Sequence, residues 1–348
     1  MFKLGVIFGG MSTEHEVSIE SGKNVLENLN SKKYEIYPIY VDKNGDWYKY
    51  IGKYEELKMS EKPSKLERID NIIEYIKQLD VVFPVLHGLY GEDGTIQGLL
   101  ELLKIPYVGC RVLASSLGMD KVYSKIVFEK AGIKQTKSCY IRKNKNEYIF
   151  VKNDFEEKIL HLDEICIEIE KEIEYPMFIK PSNSGSSVGV SKAENSEQLK
   201  NAIENAGKYD SKILIEAEIE GKEVECAVLG NEEIIAGEVG EIIAADTFYS
   251  YDAKYNNKAS KTIIPADIPE STKHEIRRLA IKAFKAIDGK GLARVDFFVE
   301  NKTDKIYLNE INTMPGFTQI SMYPKLMEAI GVTYGDLLDR LIELSLNK

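Results

Sequence analysis

The segment that most constrains how this chain folds is residues 291–316, which read GLARVDFFVENKTDKIYLNEINTMPG. Residues 293–299 and 306–311 are rich in strand-forming side chains, and the polar residues 301–304 between them are typical of a turn. The segment therefore predicts a strand, a short connection and a return strand, followed by a Pro-Gly turn.

Four polar side chains in this hairpin predict its chemistry. Successive strand side chains point to opposite faces, so Arg294 and Asp296 share one face, and Glu310 and Asn312 share one face of the return strand. If the two faces coincide, one guanidinium group and three oxygen ligands converge. Such ligands suit Mg²⁺, which binds through a few carboxylates and substrate phosphates. A solvated face with ordinary ion pairs is the alternative, but the aromatic neighbours and the Pro-Gly turn favour a metal and phosphate site.

Composition narrows the functional class. The chain has 348 residues, which suggests two or three domains, and its 43% hydrophobic and 29% charged residues indicate a globular protein. The formal net charge of −10 argues against nucleic acid or an anionic membrane as the main partner. We expect no signal peptide and no membrane span. The four widely spaced cysteines, with no CxxC pair, predict reduced thiols in a cytoplasmic protein.

Residues 1–118 predict an N-terminal α/β domain, because strands alternate with helices as in a doubly wound parallel sheet. The predicted strands are residues 4–8, 34–41, 80–86 and 105–108, and the predicted helices are residues 13–29, with Thr13 and Glu16 forming a capping box, and 96–103. The absence of a GxGxxG motif excludes a dinucleotide site. Ligands of such sheets bind beyond the carboxyl ends of the strands, where Glu14 and His87 lie. Both are candidate substrate contacts, and a structural role is the alternative for each.

Residues 119–214 predict a central domain. It opens with a helix over residues 119–131, on which Lys121 and Lys125 lie on one side. The acidic segment 143–174 has helical periodicity in its later part and predicts a surface helix.

A Ser/Gly-rich loop, PSNSGSSVGVSKA, follows a predicted strand that ends at Lys180. Backbone N–H groups and hydroxyls of such a loop can surround phosphate oxygens, with Lys180 supplying a point charge. A flexible hairpin tip is the alternative. We predict a helix over about residues 196–206 after this loop.

Residues 215–348 predict a C-terminal domain. An edge strand at residues 216–219 would present its backbone to an adenine ring and Glu223 would hold ribose hydroxyls, although composition alone leaves this open. The polar, Tyr-rich residues 245–262 predict a long loop that acts as a lid. Ser271 predicts the cap of a helix that reaches residue 287, and a last helix covers residues 334–346.

Seven motifs in this order resemble those of the D-alanine–D-alanine ligase family of ATP-grasp enzymes. They are GGMSTEHEVS, FPVLHGLYGEDGTIQG, MDK, IKPSNSGSSVGVSK, YDAKY, GLARVDFF and LNEINTMPGFTQISMYP, and they span essentially the whole chain. The resemblance implies an α/β ATP-grasp fold, α+β overall, with ATP between the central and C-terminal domains. It also implies a cytoplasmic homodimer that makes peptidoglycan precursors from D-alanine and ATP.

The resemblance implies roles for individual residues. The implied ATP contacts are Lys121, Lys180, Ser186, Ser187, Glu216, Ile219, Glu223 and Lys254. The implied ligands of two Mg²⁺ ions, which Mn²⁺ can replace, are Asp296, Glu310 and Asn312. The implied contacts of the first D-alanine are Glu14 and His87, and those of the second are Ser321 and Met322. The residues implied to close the site and to stabilise the oxyanion are Glu14, Ser186, Tyr255, Arg294 and the Gly316 N–H.

The second substrate is predicted from two positions. Relatives that make D-alanyl-D-lactate lack the lid tyrosine and carry arginine in place of Met322, so Tyr255 and Met322 favour D-alanine here. A ligase that joins D-alanine to D-serine is the alternative within the class. A catalytically inactive ATP-binding regulator is the alternative outside it, although every metal and phosphate position is filled.

Overall fold

The computed structural model of the protein describes residues 1–145, 147–152, 155–243 and 261–347. Its strands form three sheets that follow one another along the chain. None of the helices within these ranges has the length and apolar character needed to cross a membrane.

The first sheet contains the predicted parallel strands and two further strands. Its order is β4-β3-β2-β1-β5, with β1 at Phe2–Gly9, β2 at Tyr34–Val41, β3 at Trp47–Tyr50, β4 at Leu66–Arg68 and β5 at Val81–Pro84. Strands β1, β2 and β5 are parallel, whereas β3 and β4 add an antiparallel edge. Helix α1 (His15–Asn28) packs on one face, and α2 (Ile72–Ile76) and α3 (Thr95–Leu103) pack on the other.

Two details of this region differ from the prediction. The expected strand at residues 105–108 forms only one parallel bridge, between Tyr107 and Val82. The predicted capping box is also wrong, because α1 begins at His15 with Glu14 at the N-cap position and no capping side chain. The chain turns just before the helix, where the Glu14 N–H donates to the Ser12 hydroxyl, and this turn buries the Glu14 side chain.

The second sheet is antiparallel and has the order β10-β9-β11-β6-β7-β8. Its strands are β6 at Ser138–Asn144, β7 at Glu147–Val151, β8 at Glu157–Leu160, β9 at Met177–Pro181, β10 at Ser191–Ala193 and β11 at Lys212–Ala217. Helices α6 (Leu162–Glu172) and α7 (Ser196–Ala206) pack against it through one apolar cluster. The acidic segment therefore contains strands as well as its predicted helix. Strand β11 lies between β9 and β6, so it is not the edge strand that we predicted.

The third sheet is antiparallel, has the order β14-β13-β12-β15-β16 and contains the predicted hairpin. Its strands are β12 at Gly221–Gly230, β13 at Ile234–Ile243, β14 at Lys261–Ile263, β15 at Gly291–Glu300 and β16 at Ile306–Asn312. Helix α8 (Glu270–Ala286) packs on this sheet, and it begins one residue before Ser271, which is therefore not its cap. Strand β14 includes the last two residues of the predicted lid loop 245–262.

Helices near the end of the chain join the first sheet in one core. Helices α9 (Met322–Glu328) and α10 (Tyr334–Leu346) contribute side chains to the apolar cluster that contains β1 and β5. The Phe83 and Phe317 rings meet edge to face, with their centroids 5.5 Å apart. This packing brings the loop after β5 to the turn that follows β16.

The connection between the first and second sheets is a pair of short helices, α4 (Val112–Met119) and α5 (Lys121–Lys130). Asp120 separates them and caps α5 by accepting the N–H groups of Val122 and Tyr123. The single helix predicted at residues 119–131 therefore begins at Lys121. The domain ranges 1–118, 119–214 and 215–348 stay predictions.

Candidate active site

A cavity of about 580 Å³ lies between the second and third sheets. Its walls come from β9, β11, β12 and β16 and from the Ser/Gly-rich loop between β9 and β10. It is lined by these residues with an implied ATP or metal role: Lys121, Lys180, Ser186, Ser187, Glu216, Ile219, Glu223 and Glu310. The fold therefore assembles residues from four separate parts of the sequence around one space. Lys254 and Tyr255 lie outside the described residues.

The Glu216 carboxylate lies in the wall of this cavity and is the centre of an ion-pair cluster. Its Oε1 lies 2.6 Å from the Lys125 Nζ, and its Oε2 lies 2.6 Å from the Lys180 Nζ. The side chain is 3% exposed. Burial acts to raise the pKa of Glu216, but the two ammonium groups outweigh it and hold the pKa at about 2. We call these three side chains, which carry two positive charges and one negative charge, the Glu216 cluster; the Glu310 and Glu223 carboxylates also act on Lys180.

Lys125 is a site residue that the sequence reasoning placed on the correct helix face but did not assign. Its position four residues after Lys121 on α5 was the available signal, since residues at that spacing lie on one side of a helix. The Lys121 Nζ donates to the Ser184 carbonyl oxygen over 2.6 Å and lies 3.4 Å from the Glu310 Oε2. Lys121 therefore lines the cavity, whereas Lys125 reaches it through Glu216.

The Ser/Gly-rich loop reaches the N-terminal region through Ser186. Ser186 and Ser187 both adopt left-handed backbone conformations, with φ of 48° and 59°, which are uncommon for residues other than glycine. The Ser186 hydroxyl donates to the Glu14 Oε1. The predicted association of Ser186 with Glu14 is thereby present in the fold.

Two glycines allow the Glu14 carboxylate to sit between loops. A Cβ atom built on Gly185 would lie 2.3 Å from the Glu14 Oε2, and one built on Gly88 would lie 2.5 Å from the same atom. Gly88 also has a φ of +70°, which L side chains rarely adopt. Any side chain at these positions would displace the carboxylate.

Arg294 is the centre of a second ion-pair cluster, on the third sheet. Its guanidinium meets Asp296 in a two-point contact, with Nε–Oδ1 and Nη2–Oδ2 distances of 2.8 Å. Its Nε also lies 3.1 Å from the Glu225 Oε2. Burial acts to lower the pKa of Arg294, but the two carboxylates outweigh it and raise the pKa well above the usual value. We call these three residues the Arg294 cluster, which has an excess negative charge.

The predicted side-chain alternation in the hairpin is confirmed by the register of its strands. Arg294 is paired with Asn312 and Asp296 with Glu310 across β15 and β16. The Asn312 amide donates to the Asp296 Oδ2 over 3.0 Å. Glu225 is paired with Asp296 from the other side, on β12. The sequence reasoning missed it, because no local pattern indicates which strand lies beside β15.

The donor set of the hairpin fits Mg²⁺. Within the described ranges, no group of three or more His, Cys, Asp or Glu residues is arranged to hold a metal. The predicted ligands are instead two carboxylates and one amide, all supplying hard oxygen atoms of the kind that Mg²⁺ prefers. Both Asp296 oxygens are engaged by Arg294 and Asn312, so metal binding would replace one of these contacts.

The implied D-alanine contacts lie at the junction of the first and third sheets. His87 is buried, and its Nδ1 lies 3.0 Å from the Met314 carbonyl oxygen, in the turn that contains Gly316. The Ser321 hydroxyl accepts the Thr318 N–H over 3.0 Å. Met322 is buried within the core shared by the first sheet and the C-terminal helices. Their substrate roles stay predictions.

Family models match both parts of the chain. The model described as D-ala D-ala ligase N-terminus matches residues 3–110, and the model described as D-ala D-ala ligase C-terminus matches residues 143–343. The chain belongs to the D-alanine–D-alanine ligase family. The family resemblance and the ATP-grasp fold class predicted from the sequence are thereby confirmed.

Individual family members match over nearly their full length. A D-alanine–D-alanine ligase of Acetivibrio thermocellus is 49% identical, covering 99% of this chain and 95% of that protein. One of Clostridium acetobutylicum is 48% identical, covering 99% and 98%. Among solved structures, the VanG D-Ala:D-Ser ligase of Enterococcus faecalis has a TM-score of 0.84 at 39% identity and covers 99% of both chains. The D-alanine–D-alanine ligase of Coxiella burnetii has a TM-score of 0.81 at 33% identity, covering 99% and 94%.

Proposed function

We propose that this protein joins two D-alanine molecules to form D-alanyl-D-alanine, using ATP and releasing ADP and phosphate, for peptidoglycan precursor synthesis. The observation that carries the proposal is the pairing, within one site, of the positively charged Glu216 cluster with the negatively charged Arg294 cluster. The first suits a polyphosphate, and the second suits the cations and ammonium groups that the reaction brings together. Relatives named D-alanine–D-alanine ligase match 99% of the chain.

The first step transfers the γ-phosphoryl group. The carboxylate of the first D-alanine attacks the γ-phosphorus, the bond to the bridging oxygen breaks, and ADP leaves, giving an acylphosphate. Lys121 and Lys180 neutralise charge on the phosphates, and the segment 216–219 with Glu223 holds the adenosine. Phe178, Ile242 and Phe298 supply apolar cavity wall for the base. Catalysis of this kind is mainly positioning and charge stabilisation.

The second step forms the peptide bond. The amine of the second D-alanine attacks the acyl carbon, the C–N bond forms, and phosphate leaves with the electron pair of the broken C–O bond, while the nitrogen releases one proton to solvent or to the departing phosphate. Arg294 and the Gly316 N–H stabilise the oxyanion, while Glu14 holds the ammonium group of the first D-alanine beside His87. Ser321 and Met322 lie against the second D-alanine. Removing one oxyanion donor typically costs about 3–4 kcal/mol of transition-state stabilisation.

Metal, lid and assembly complete the proposal. Asp296, Glu310 and Asn312 would hold two Mg²⁺ ions, which Mn²⁺ can replace, and the metal would supply charge neutralisation on the transferred phosphate. The family resemblance implies that Lys254 and Tyr255 help to exclude water, which would hydrolyse an acylphosphate, and both lie outside the described residues. The enzyme acts in the cytoplasm as a homodimer, as the family resemblance implies.

The test is ADP release by the purified protein, with every product identified by mass. We expect ADP release with D-alanine alone, formation of D-alanyl-D-alanine, no activity with L-alanine, and loss of activity with a chelator that added Mg²⁺ reverses. D-Serine and D-lactate are added in separate arms, because the VanG protein is described as a D-Ala:D-Ser ligase. If D-alanyl-D-serine is the dominant product, the second substrate is D-serine and not D-alanine. No ADP release with any D-amino acid would instead indicate a regulator.

A further inference from the structure

The Met314–Phe317 turn, which carries the proposed oxyanion donor, is held by side chains from the N-terminal region. We infer that Ser21 and Glu92, together with His87, are positioning residues that fix this turn for the acyl-transfer step. The inference rests on the proposed function. Three independent hydrogen-bonding arrangements support it.

His87 fixes one side of the turn and its own tautomer. A carbonyl oxygen only accepts hydrogen bonds, so the Nδ1 that lies 3.0 Å from the Met314 oxygen must carry the proton. Burial lowers the pKa of His87, although the Glu14 charge opposes this, and the imidazole is therefore neutral at pH 7. The Nε2 atom then has an unprotonated lone pair and accepts a hydrogen bond.

Ser21 on α1 connects His87 to the far side of the turn. Its Oγ lies 2.9 Å from the His87 Nε2 and accepts the Phe317 N–H over 3.1 Å. Because Nε2 is the acceptor, the Ser21 hydroxyl proton must point to it. The Ser21 side chain is fully buried, so one hydroxyl orientation satisfies both neighbours.

Glu92 connects the loop after β5 to the start of the turn. Its Oε1 accepts the Gly88 N–H over 2.9 Å, and its Oε2 accepts the Met314 N–H over 3.2 Å. Burial raises the pKa of Glu92 to about 8, with the Glu14 charge acting in the same direction. The hydrogen bonds from the Gly88 and Met314 N–H groups act in the opposite direction on this pKa.

These contacts leave one backbone donor of the turn for a ligand. The N–H groups of Met314 and Phe317 are taken by Glu92 and Ser21, and Pro315 has no N–H. Gly316 donates to no other residue in the described ranges. Gly316 is partly exposed while Met314 and Phe317 on either side are buried. Fixing the neighbours therefore fixes the direction of the Gly316 N–H.

The consequence is specific to the second chemical step. Ser21→Ala removes the hydroxyl that joins His87 to Phe317 and allows the Gly316 N–H to move. Amine attack on the acylphosphate then slows, whereas phosphoryl transfer, which uses the Glu216 cluster, continues. Water attacks the acylphosphate that accumulates and gives D-alanine and phosphate. ATP is then consumed without peptide bond formation.

The experiment measures ADP and D-alanyl-D-alanine in the same reaction of the full chain. For the wild type we expect one dipeptide per ADP. For Ser21→Ala we expect a dipeptide kcat lower on the order of tenfold, an ADP-to-dipeptide ratio clearly above one, and a KM for ATP within about twofold. Glu92→Gln keeps one acceptor oxygen and replaces the other by an NH₂ group, so only one of the Gly88 and Met314 N–H groups keeps its acceptor. We expect this variant also to raise the ADP-to-dipeptide ratio.

Ser18→Ala is the matched control. Ser18 is also fully buried on α1, and its hydroxyl also joins two backbone groups, the Gly9 N–H and the Val85 carbonyl, but it makes no contact with the turn. We expect Ser18→Ala to lower the melting temperature about as much as Ser21→Ala does. Its ADP-to-dipeptide ratio should stay at one. Ser21→Cys, which keeps a weak donor at the same position, is expected to restore part of the coupling.

The outcomes separate the two proposals. A wild type that makes no D-alanyl-D-alanine would reject the proposed function. The positioning role alone would be rejected by a different outcome. In it the wild type makes the dipeptide, and both Ser21→Ala and Glu92→Gln fold, keep a normal kcat and release one ADP per dipeptide. If Ser21→Ala does not fold, Ser21→Cys and Glu92→Gln decide by the same ratio.

Discussion

The Glu216 cluster and the Arg294 cluster are built as opposites. In the first, one carboxylate pairs with two lysine ammonium groups, and in the second, one guanidinium group pairs with two carboxylates. All these groups are largely buried, with side-chain exposures between 3% and 16%. Counted over these three side chains alone, the first has one excess positive charge and the second has one excess negative charge.

The opposite signs of charge suit the two clusters to different ligands. Burying charges costs solvation free energy, and the cost is offset only where each charge has a partner. Within each group of three side chains one sign of charge is in excess, so a bound ligand of the opposite sign would add a favourable partner. The Glu216 cluster is therefore suited to phosphate, and the Arg294 cluster to a metal ion or a substrate ammonium group.

The largest expected effect comes from removing the centre of the Arg294 cluster. Arg294→Ala leaves Asp296 and Glu225 buried without the guanidinium and removes an oxyanion donor. We expect dipeptide formation to fall by at least about 10³-fold, measured by mass on the folded variant. The matched control is Arg278→Ala, which removes an exposed arginine with the same two-point contact to Glu275, at 2.7 and 2.6 Å, and leaves turnover unchanged. Near-normal turnover by Arg294→Ala would contradict the assignment.

The Glu216 cluster should make the free energy of unfolding depend on pH in the acidic range. The native pKa of Glu216, about 2, lies below its ordinary value of 4.5. Its contribution, about 3 kcal/mol, is therefore fully present above pH 4.5 and is lost as the pH falls towards 2. The free energy of unfolding, measured with denaturant at pH 5 and pH 3, should fall less in Glu216→Gln than in the wild type, by about 2 kcal/mol. Glu275→Gln is the surface control, and equal losses in all three proteins would contradict the prediction.

Substitution of Lys180 tests whether the positive charges of the Glu216 cluster bind ATP. Lys180→Ala should raise the KM for ATP by roughly 10- to 100-fold, since a hydrogen bond to a charged group contributes about 1.5–3 kcal/mol. The KM for D-alanine should change much less. Lys158 is an exposed lysine on the same sheet as Lys180, and it pairs with Glu168 of α6. Lys158→Ala should change neither KM value. Equal increases in both KM values for Lys180→Ala would mean that the cluster does not distinguish the substrates.

The smallest expected effect concerns Glu223, which lines the cavity beyond the Glu216 cluster. If it holds the ribose, Glu223→Ala should raise the KM for ATP by about fivefold, the loss of about one hydrogen bond, with kcat unchanged. Replacing ATP by 2′-deoxy-ATP and by 3′-deoxy-ATP should weaken binding to the wild type for at least one analogue, and this difference should shrink in the variant. The same difference in both proteins would place the ribose elsewhere.

Prediction from the sequence succeeded where neighbouring residues decide the structure. Helices α7 and α10 have the predicted bounds 196–206 and 334–346. Each begins after a side chain, of Asn195 or Thr333, that accepts a backbone N–H of the first turn. The hairpin face that joins Arg294 to Asp296 followed from alternation alone.

Prediction failed where segments far apart in the chain meet. No local pattern shows that β11 lies inside its sheet, that Glu225 faces Asp296, or that Lys125 reaches Glu216. Ser21 and the Phe317 N–H that it accepts are separated by 296 residues. Their contact exists because the C-terminal helices pack against the first sheet.

The sequence by itself determined helices α7 and α10, the strands of the 291–316 hairpin, the family and the chemical types of the site residues, because side-chain periodicity and capping act between near neighbours. Only the tertiary structure decided the charge balance of the two clusters and the fixing of the Gly316 turn. Burial and ion pairing depend on which distant segments pack together, so the same aspartate or lysine acquires its role only once its partners are in place.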